Sequence, residues 1–83
     1  MVILPIYGRF VGDFTAHLVA IDEEDTIGEV AAKIAAHSVR RRVPAESTGS
    51  YEVVIDGRVI PAELCVSHLS LRPLHWIDVR WKR

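Results

Sequence analysis

One run of helical periodicity stands between two groups of β-rich runs, and that order constrains the chain more than any other feature. Ile27, Val30, Ala31, Ile34 and Ser38 recur at helical spacing and make one mostly apolar stripe. Thr26 followed three residues later by Glu29 reads as a capping box, the hydroxyl accepting from the Glu29 amide and the carboxylate from the Thr26 amide. Asp25 could equally cap from one position earlier. Four acidic residues at 22–25 suit the positive end of the helix dipole, and Glu29 and Lys33 are spaced for an i,i+4 pair. Val43 precedes Pro44 and is pushed out of helical geometry, so the helix is expected to end near Arg40, Arg41 and Arg42. Residues 44–50, "PAESTGS", read as a loop.

The flanking runs read as strands. "VILPIYGRFV" (2–11) and "FTAHLVAI" (14–21) are rich in β-branched and aromatic side chains, and Gly12-Asp13 between them suggests a tight two-residue turn. "YEVVIDGRVI" (51–60) contains a second hairpin signal at Asp56-Gly57. "PAELCVSHLSLRP" (61–73) carries a proline at each end and predicts a long connection with one helical turn. "LHWIDVRW" (74–81) alternates, placing Ile77, Val79 and Trp81 on one face and Trp76, Asp78 and Arg80 on the other. The order β-β-α-β-β, long connection, β predicts an α+β roll: a mixed sheet with one main helix packed on one face. The β-grasp, or ubiquitin-like, arrangement has this order, and the "DTI" start of the helix and the "VVIDGRVI" hairpin resemble it.

At 83 residues the chain has room for a single domain, 1–83. Its stability is expected at roughly 4–12 kcal/mol from the usual per-residue value. Cys65 is the one cysteine, so no internal disulfide can form and the core must hold the fold, as in a reducing cytoplasm. "MVILPIYGRF" lacks the basic start and cleavage site of a signal peptide. The longest apolar runs fall far short of the ~20 residues that span a bilayer. These readings predict a cytoplasmic protein with no membrane segment. Ten Lys and Arg against eleven Asp and Glu give a net charge of −1, which weighs against nucleic acid as the main partner.

Chemistry-bearing motifs are sparse. His17, His37, His68 and His75 fall in four different elements, and Cys65-x-x-His68 is a lone pair of short ligand spacing without a second, which reads as a thiol and a loop imidazole rather than a zinc site. The same pair lacks the glycine-rich oxyanion loop and nucleophile elbow of a nucleophilic enzyme, and Glu63 nearby, a conceivable orienting group, reads as a surface carboxylate in a loop. The five glycines are scattered rather than serial before a helix, so no phosphate cradle is expected. The chain ends "VRWKR" and not in an exposed Gly-Gly, which excludes a sulfur-carrier or tagging role. No catalytic, metal or cofactor residue is assigned.

What remains points to a protein partner. Arg40, Arg41 and Arg42 would span roughly 300° of a helix at about 100° per residue, so they cannot all face one partner, and three phosphate contacts would give only a weak, salt-sensitive grip. They either complement the helix dipole or form bidentate bonds to carboxylates of a neighbouring protein. Strands one and two carry apolar side chains on both faces: Leu4 and Ile6 alternate with Ile3, Pro5 and Tyr7, and Leu18 and Ala20 with Val19 and Ile21. A single helix covers one face of a sheet. Trp76 adds a large ring to the other, and an exposed apolar area of this kind marks an interface.

"EVAAKIAAHSVRRRV" (29–43) resembles the corresponding helix of the B proteins, the small γ subunits of bacterial toluene monooxygenase hydroxylases. The shared pattern is Val30-Ala31, then Lys33, Ala35, His37 and Val39, closing on Arg41-Arg42-Val43. Asp13-Phe14, Leu18-Val19, Asp22 and, in the last strand, Leu71, Pro73, Ile77, Asp78 and Val79 resemble the family too, whereas 44–62 and the basic tail depart from it. The resemblance implies a ubiquitin-like, non-catalytic γ subunit that packs on and stabilises the large subunit. Its partners would be the hydroxylase α and β subunits, and the diiron centre would lie in α. It also carries an interface role onto His37, Arg41 and Arg42, joined by Tyr7 and Trp76 from the uncovered face. An aromatic or an alkene system fits, and self-association of the isolated chain stays open. The alternatives are a free-standing ubiquitin-like adaptor that binds a peptide at a sheet edge and a weak nucleic-acid binder using residues 40–42 with Lys82 and Arg83.

Overall fold

The computed structural model describes residues 2–39 and 50–82. Among them the elements run β1 (Ile3–Phe10), β2 (His17–Asp22), α1 (Ile27–Ala35), β3 (Tyr51–Ile55), β4 (Arg58–Ile60), a 3-10 turn (Val66–His68) and β5 (Trp76–Trp81). The strands form one mixed sheet in the spatial order β2-β1-β5-β3-β4. β1 and β5 run parallel, with Tyr7 opposite Trp76 and Phe10 opposite Val79, and the other neighbours are antiparallel. This is the expected β-grasp, with the last strand inserted at the centre of the sheet.

α1 lies across one face and meets β1, β2, β3 and β5. Ile27, Val30, Ala31, Ile34 and Ala35 turn inward onto Ile6, Phe10, Val19, Ile21, Val53, Ile55, Ile77 and Val79. Full burial of each large aliphatic side chain contributes about 1.5–3 kcal/mol. Phe10, Tyr51 and Trp81 close one end of this core as an aromatic cluster with ring centroids 5.0–5.8 Å apart, Phe10 edge-to-face with both other rings and Tyr51 tilted by 35° against Trp81. Gly8 lets α1 approach closely, because a Cβ there would lie 2.6 Å from Ile34 Cγ1.

Thr26 is the N-cap. Its hydroxyl accepts from the Glu29 amide and Glu29 Oε1 accepts from the Thr26 amide at 2.9 Å, completing the capping box and deciding against Asp25. The amides of Ile27 and Gly28 donate to the carbonyls of Leu64 and Ala62, so the connection after β4 satisfies the rest of this helix end. Asp56 (φ 52°) and Gly57 (φ 79°) both adopt positive φ in the β3–β4 turn, the geometry of a type I′ hairpin.

Three local expectations are corrected. α1 ends at Ala35, well before Arg40: the His37 and Ser38 amides donate to Ile34 and Ala35 carbonyls three residues back, which tightens the last turn. That turn carries Ser38 inward, where its fully buried hydroxyl donates to Asp13 Oδ2 at 2.6 Å. The β1–β2 connection is six residues, 11–16, rather than a tight Gly12-Asp13 turn. Asp13 is drawn out of the hairpin to meet Ser38 and to accept the Phe14 amide at 2.7 Å, so pairing stops at Gly8 opposite His17. Finally, Lys33 pairs with Asp25 and not with Glu29, whose carboxylate is held in the cap.

Candidate partner interface

The sheet face away from α1 is built by strict alternation. On β1 the outward series is Ile3, Pro5, Tyr7 and Arg9; on β5 it is Trp76, Asp78 and Arg80. Register aligns Leu18, Tyr7 and Trp76 in one row across three strands. All three are exposed, Leu18 at 62%, Tyr7 at 40% and Trp76 at 46%. Ile3, in the same outward series, is also exposed, as is Leu74, two residues before β5. Beside the row runs a belt of cross-strand ion pairs: Arg9 Nε to Asp78 Oδ1 at 3.2 Å and Arg80 Nε to Glu52 Oε2 at 2.7 Å. Exposed pairs of this kind contribute about 0–1 kcal/mol each. Their larger effect is to order the face.

Trp76 is held from several sides. Its indole Nε1 donates to Asp78 Oδ1 at 2.9 Å, the Arg9 guanidinium sits 5.8 Å from the ring centroid, and the Tyr7 ring lies at 6.4 Å and tilted by 41°. Sequence alternation already places Trp76 and Asp78 on one face, and their i,i+2 spacing is the signal for the indole bond. Arg9 carries no such signal, because its position depends on the parallel pairing of the first strand with the last.

The residues assigned from the sequence therefore separate. Tyr7 and Trp76 come together on the open face. His37 lies on the helix side, stacked on His17 at 5.0 Å between centroids, beyond the end of α1. Arg41 and Arg42 lie outside the described residues. Among the described residues, no group of three or more His, Cys, Asp and Glu side chains could hold a metal ion. Cys65 bridges to Thr26, and its carbonyl accepts the His68 amide at 3.0 Å, so the Cys65–His68 pair builds the 3-10 turn. An open groove beside α1, about 510 Å³, is lined by Gly28, Ala31, Tyr51, Val53 and Ile60 together with the charged Glu52 and Lys82. Among the described residues no helix is long and apolar enough to cross a membrane.

At Asp25, burial pushes the carboxyl up, but the Lys33 hydrogen bond, the Asp22 amide and the Lys33 charge together outweigh it and hold the group below its ordinary value. The acidic approach to α1 is thus tied down internally.

Sheet order, capped helix and central last strand define a ubiquitin-like fold. The solved ubiquitin of Caldiarchaeum subterraneum superposes with a TM-score of 0.72 over 98% of this chain and 95% of that one, at 15% identity, a likeness of fold. The family model described as toluene-4-monooxygenase system protein B (TmoB) matches residues 3–81, and the chain belongs to that family. It is 46% identical, over the full length of both chains, to the gamma subunit of the oxygenase component of the alkene monooxygenase system of Xanthobacter autotrophicus. It is 33% identical, over 90% of each chain, to the gamma subunit of the hydroxylase component of the toluene-4-monooxygenase system of Ectopseudomonas mendocina. A chain of the solved toluene 4-monooxygenase HD complex with the inhibitor 4-bromobenzoate superposes with a TM-score of 0.90 at 30% identity, covering 98% of this chain and all of that one.

Proposed function

We propose that this chain is the non-catalytic γ subunit of a multicomponent diiron hydroxylase, a single domain that packs on the large α subunit and stabilises it, alongside β, in the cytoplasm. The observation that carries the reading is likeness along the whole chain to subunits of that name, 46% identical in one case and superposing at a TM-score of 0.90 in another. That supports a subunit over a free-standing adaptor. Higher identity to the alkene system than to the toluene system favours an alkene as the hydrocarbon. The diiron centre is assigned to α, as the family resemblance implies; no group among the described residues of this chain fits one, and no step of the reaction is routed through this chain.

Tyr7 and Trp76 are the contact residues proposed from the open face; His37, Arg41 and Arg42 are proposed from the family's helix pattern. The test is reconstitution. A tagged copy expressed with the α and β chains of its source should elute with them as one complex, and hydroxylase prepared without it should lose activity at a lower temperature. Separate elution at micromolar concentration overturns the proposal.

A further inference from the structure

We propose that Trp76 is a pre-set docking anchor and that its occupant is an uncharged, aliphatic surface of the hydroxylase large subunit; the inference rests on the γ-subunit reading. An exposed tryptophan ordinarily loses rotamer freedom on binding. Here one carboxylate oxygen, Asp78 Oδ1, accepts both the indole N–H at 2.9 Å and Arg9 Nε at 3.2 Å, and it thereby fixes the ring and the guanidinium against each other. Tyr7 supports the ring from the neighbouring strand. Ordering the anchor in advance lowers the entropy that docking would otherwise cost. Trp, Tyr and Arg are also the side chains that most often carry binding energy at interfaces.

The chemistry of the occupant follows from where the charges go. Arg9 is matched by Asp78 and Arg80 by Glu52, each within the face itself. A surface whose cations are already paired offers little to an acidic peptide or a phosphate. Apart from Tyr7 and the Arg9–Asp78 pair that hold the ring, the exposed side chains in line with it are aliphatic: Leu18 in the same row and Ile3 farther along the outward series of β1, with exposed Leu74 two residues before Trp76 in the chain. Leu74 is informative because it adopts φ 66°, which leucine resists and glycine accepts freely, while remaining 50% exposed. The fold alone would be served as well by glycine there. A leucine in that place is accounted for by an aliphatic surface laid over it.

The test uses the full chain with its α and β partners, comparing the unaltered protein with Trp76→Ala and Leu74→Gly. Dissociation constants are measured by sedimentation at low and high sodium chloride, and melting temperatures on each isolated chain. Trp76→Ala should weaken assembly by at least about 30-fold, as loss of an interface anchor does. Leu74→Gly should weaken it several-fold. Both should melt close to the unaltered chain, and affinity should change by less than about threefold with salt. Unaltered assembly in both variants overturns the inference and leaves the γ-subunit reading standing. Steep weakening by salt overturns it in favour of a charged occupant. Loss of self-association alone, with hydroxylase assembly intact, overturns it in favour of a second copy. If the unaltered chain fails to assemble at all, both readings fall.

Discussion

Two buried positions show how little slack the core has. At Gly8 an added methyl would meet Ile34 Cγ1 at 2.6 Å and Cδ1 at 2.9 Å, and Ile34 is a stiff β-branched residue that is itself 1% exposed. Gly8→Ala should therefore destabilise by about 1–3 kcal/mol through overpacking, read as a lower midpoint in urea unfolding with an unchanged slope. Ser38 contributes in the opposite way. Its hydroxyl donates to the Asp13 carboxylate at 2.6 Å across 25 residues of sequence. Ser38→Ala should cost about 1.5–3 kcal/mol, the usual value for a hydrogen bond to a charged group, and an equal midpoint for the two proteins would refute it. Neither constraint is visible in the sequence, where Gly8 sits in a strand-like run and Ser38 continues an apolar stripe. Both depend on which residue the fold brings opposite.

At the scale of elements, local chemistry was legible where no distant group competes for the residues concerned. Thr26 with Glu29, Asp56 with Gly57, and the alternation of residues 76–81 each predict the element found. Where the partner is distant, prediction failed: α1 stops early because Ser38 turns in to Asp13, and the first hairpin opens because Asp13 leaves it. A nine-residue helix is too short to persist alone in water, so its cap and its packing decide whether it forms. Thr26→Ala should cost about 0.5–2 kcal/mol, seen in thermal unfolding by circular dichroism. Asp25 adds a pH dependence. Its folded pKa lies below the ordinary 3.8, so the folded state binds fewer protons than the unfolded chain as that group titrates. The Asp25–Lys33 contribution is complete above the unfolded value and disappears as pH falls through the folded one. The stability gap between the unaltered protein and Asp25→Asn should therefore be constant at neutral pH and shrink through the carboxylate range. A gap that does not narrow in acid removes this role.

For the whole molecule the decisive feature is that β5, the last of the described strands, lies between β1 and β3. Until β5 arrives, β1 presents an eight-residue edge, and neither Ile77 nor Val79 is in the core. The same insertion assembles the open face, since Tyr7 and Arg9 come from the first strand and Trp76 and Asp78 from the last. Folding and competence to dock are thereby completed together. Mass action then links them in the other direction. A large subunit that binds the folded chain and not the unfolded one stabilises it by about 2.7 kcal/mol when free partner stands at a hundred times the dissociation constant. Amide exchange offers the measurement. In the complex, β1 and β5 amides should exchange through openings at least about 100-fold rarer than in the isolated chain. In the Trp76→Ala protein the isolated rates should be nearly unchanged while the gain on mixing largely vanishes. Equal protection of free and mixed chains would mean that the open face gains nothing from a partner.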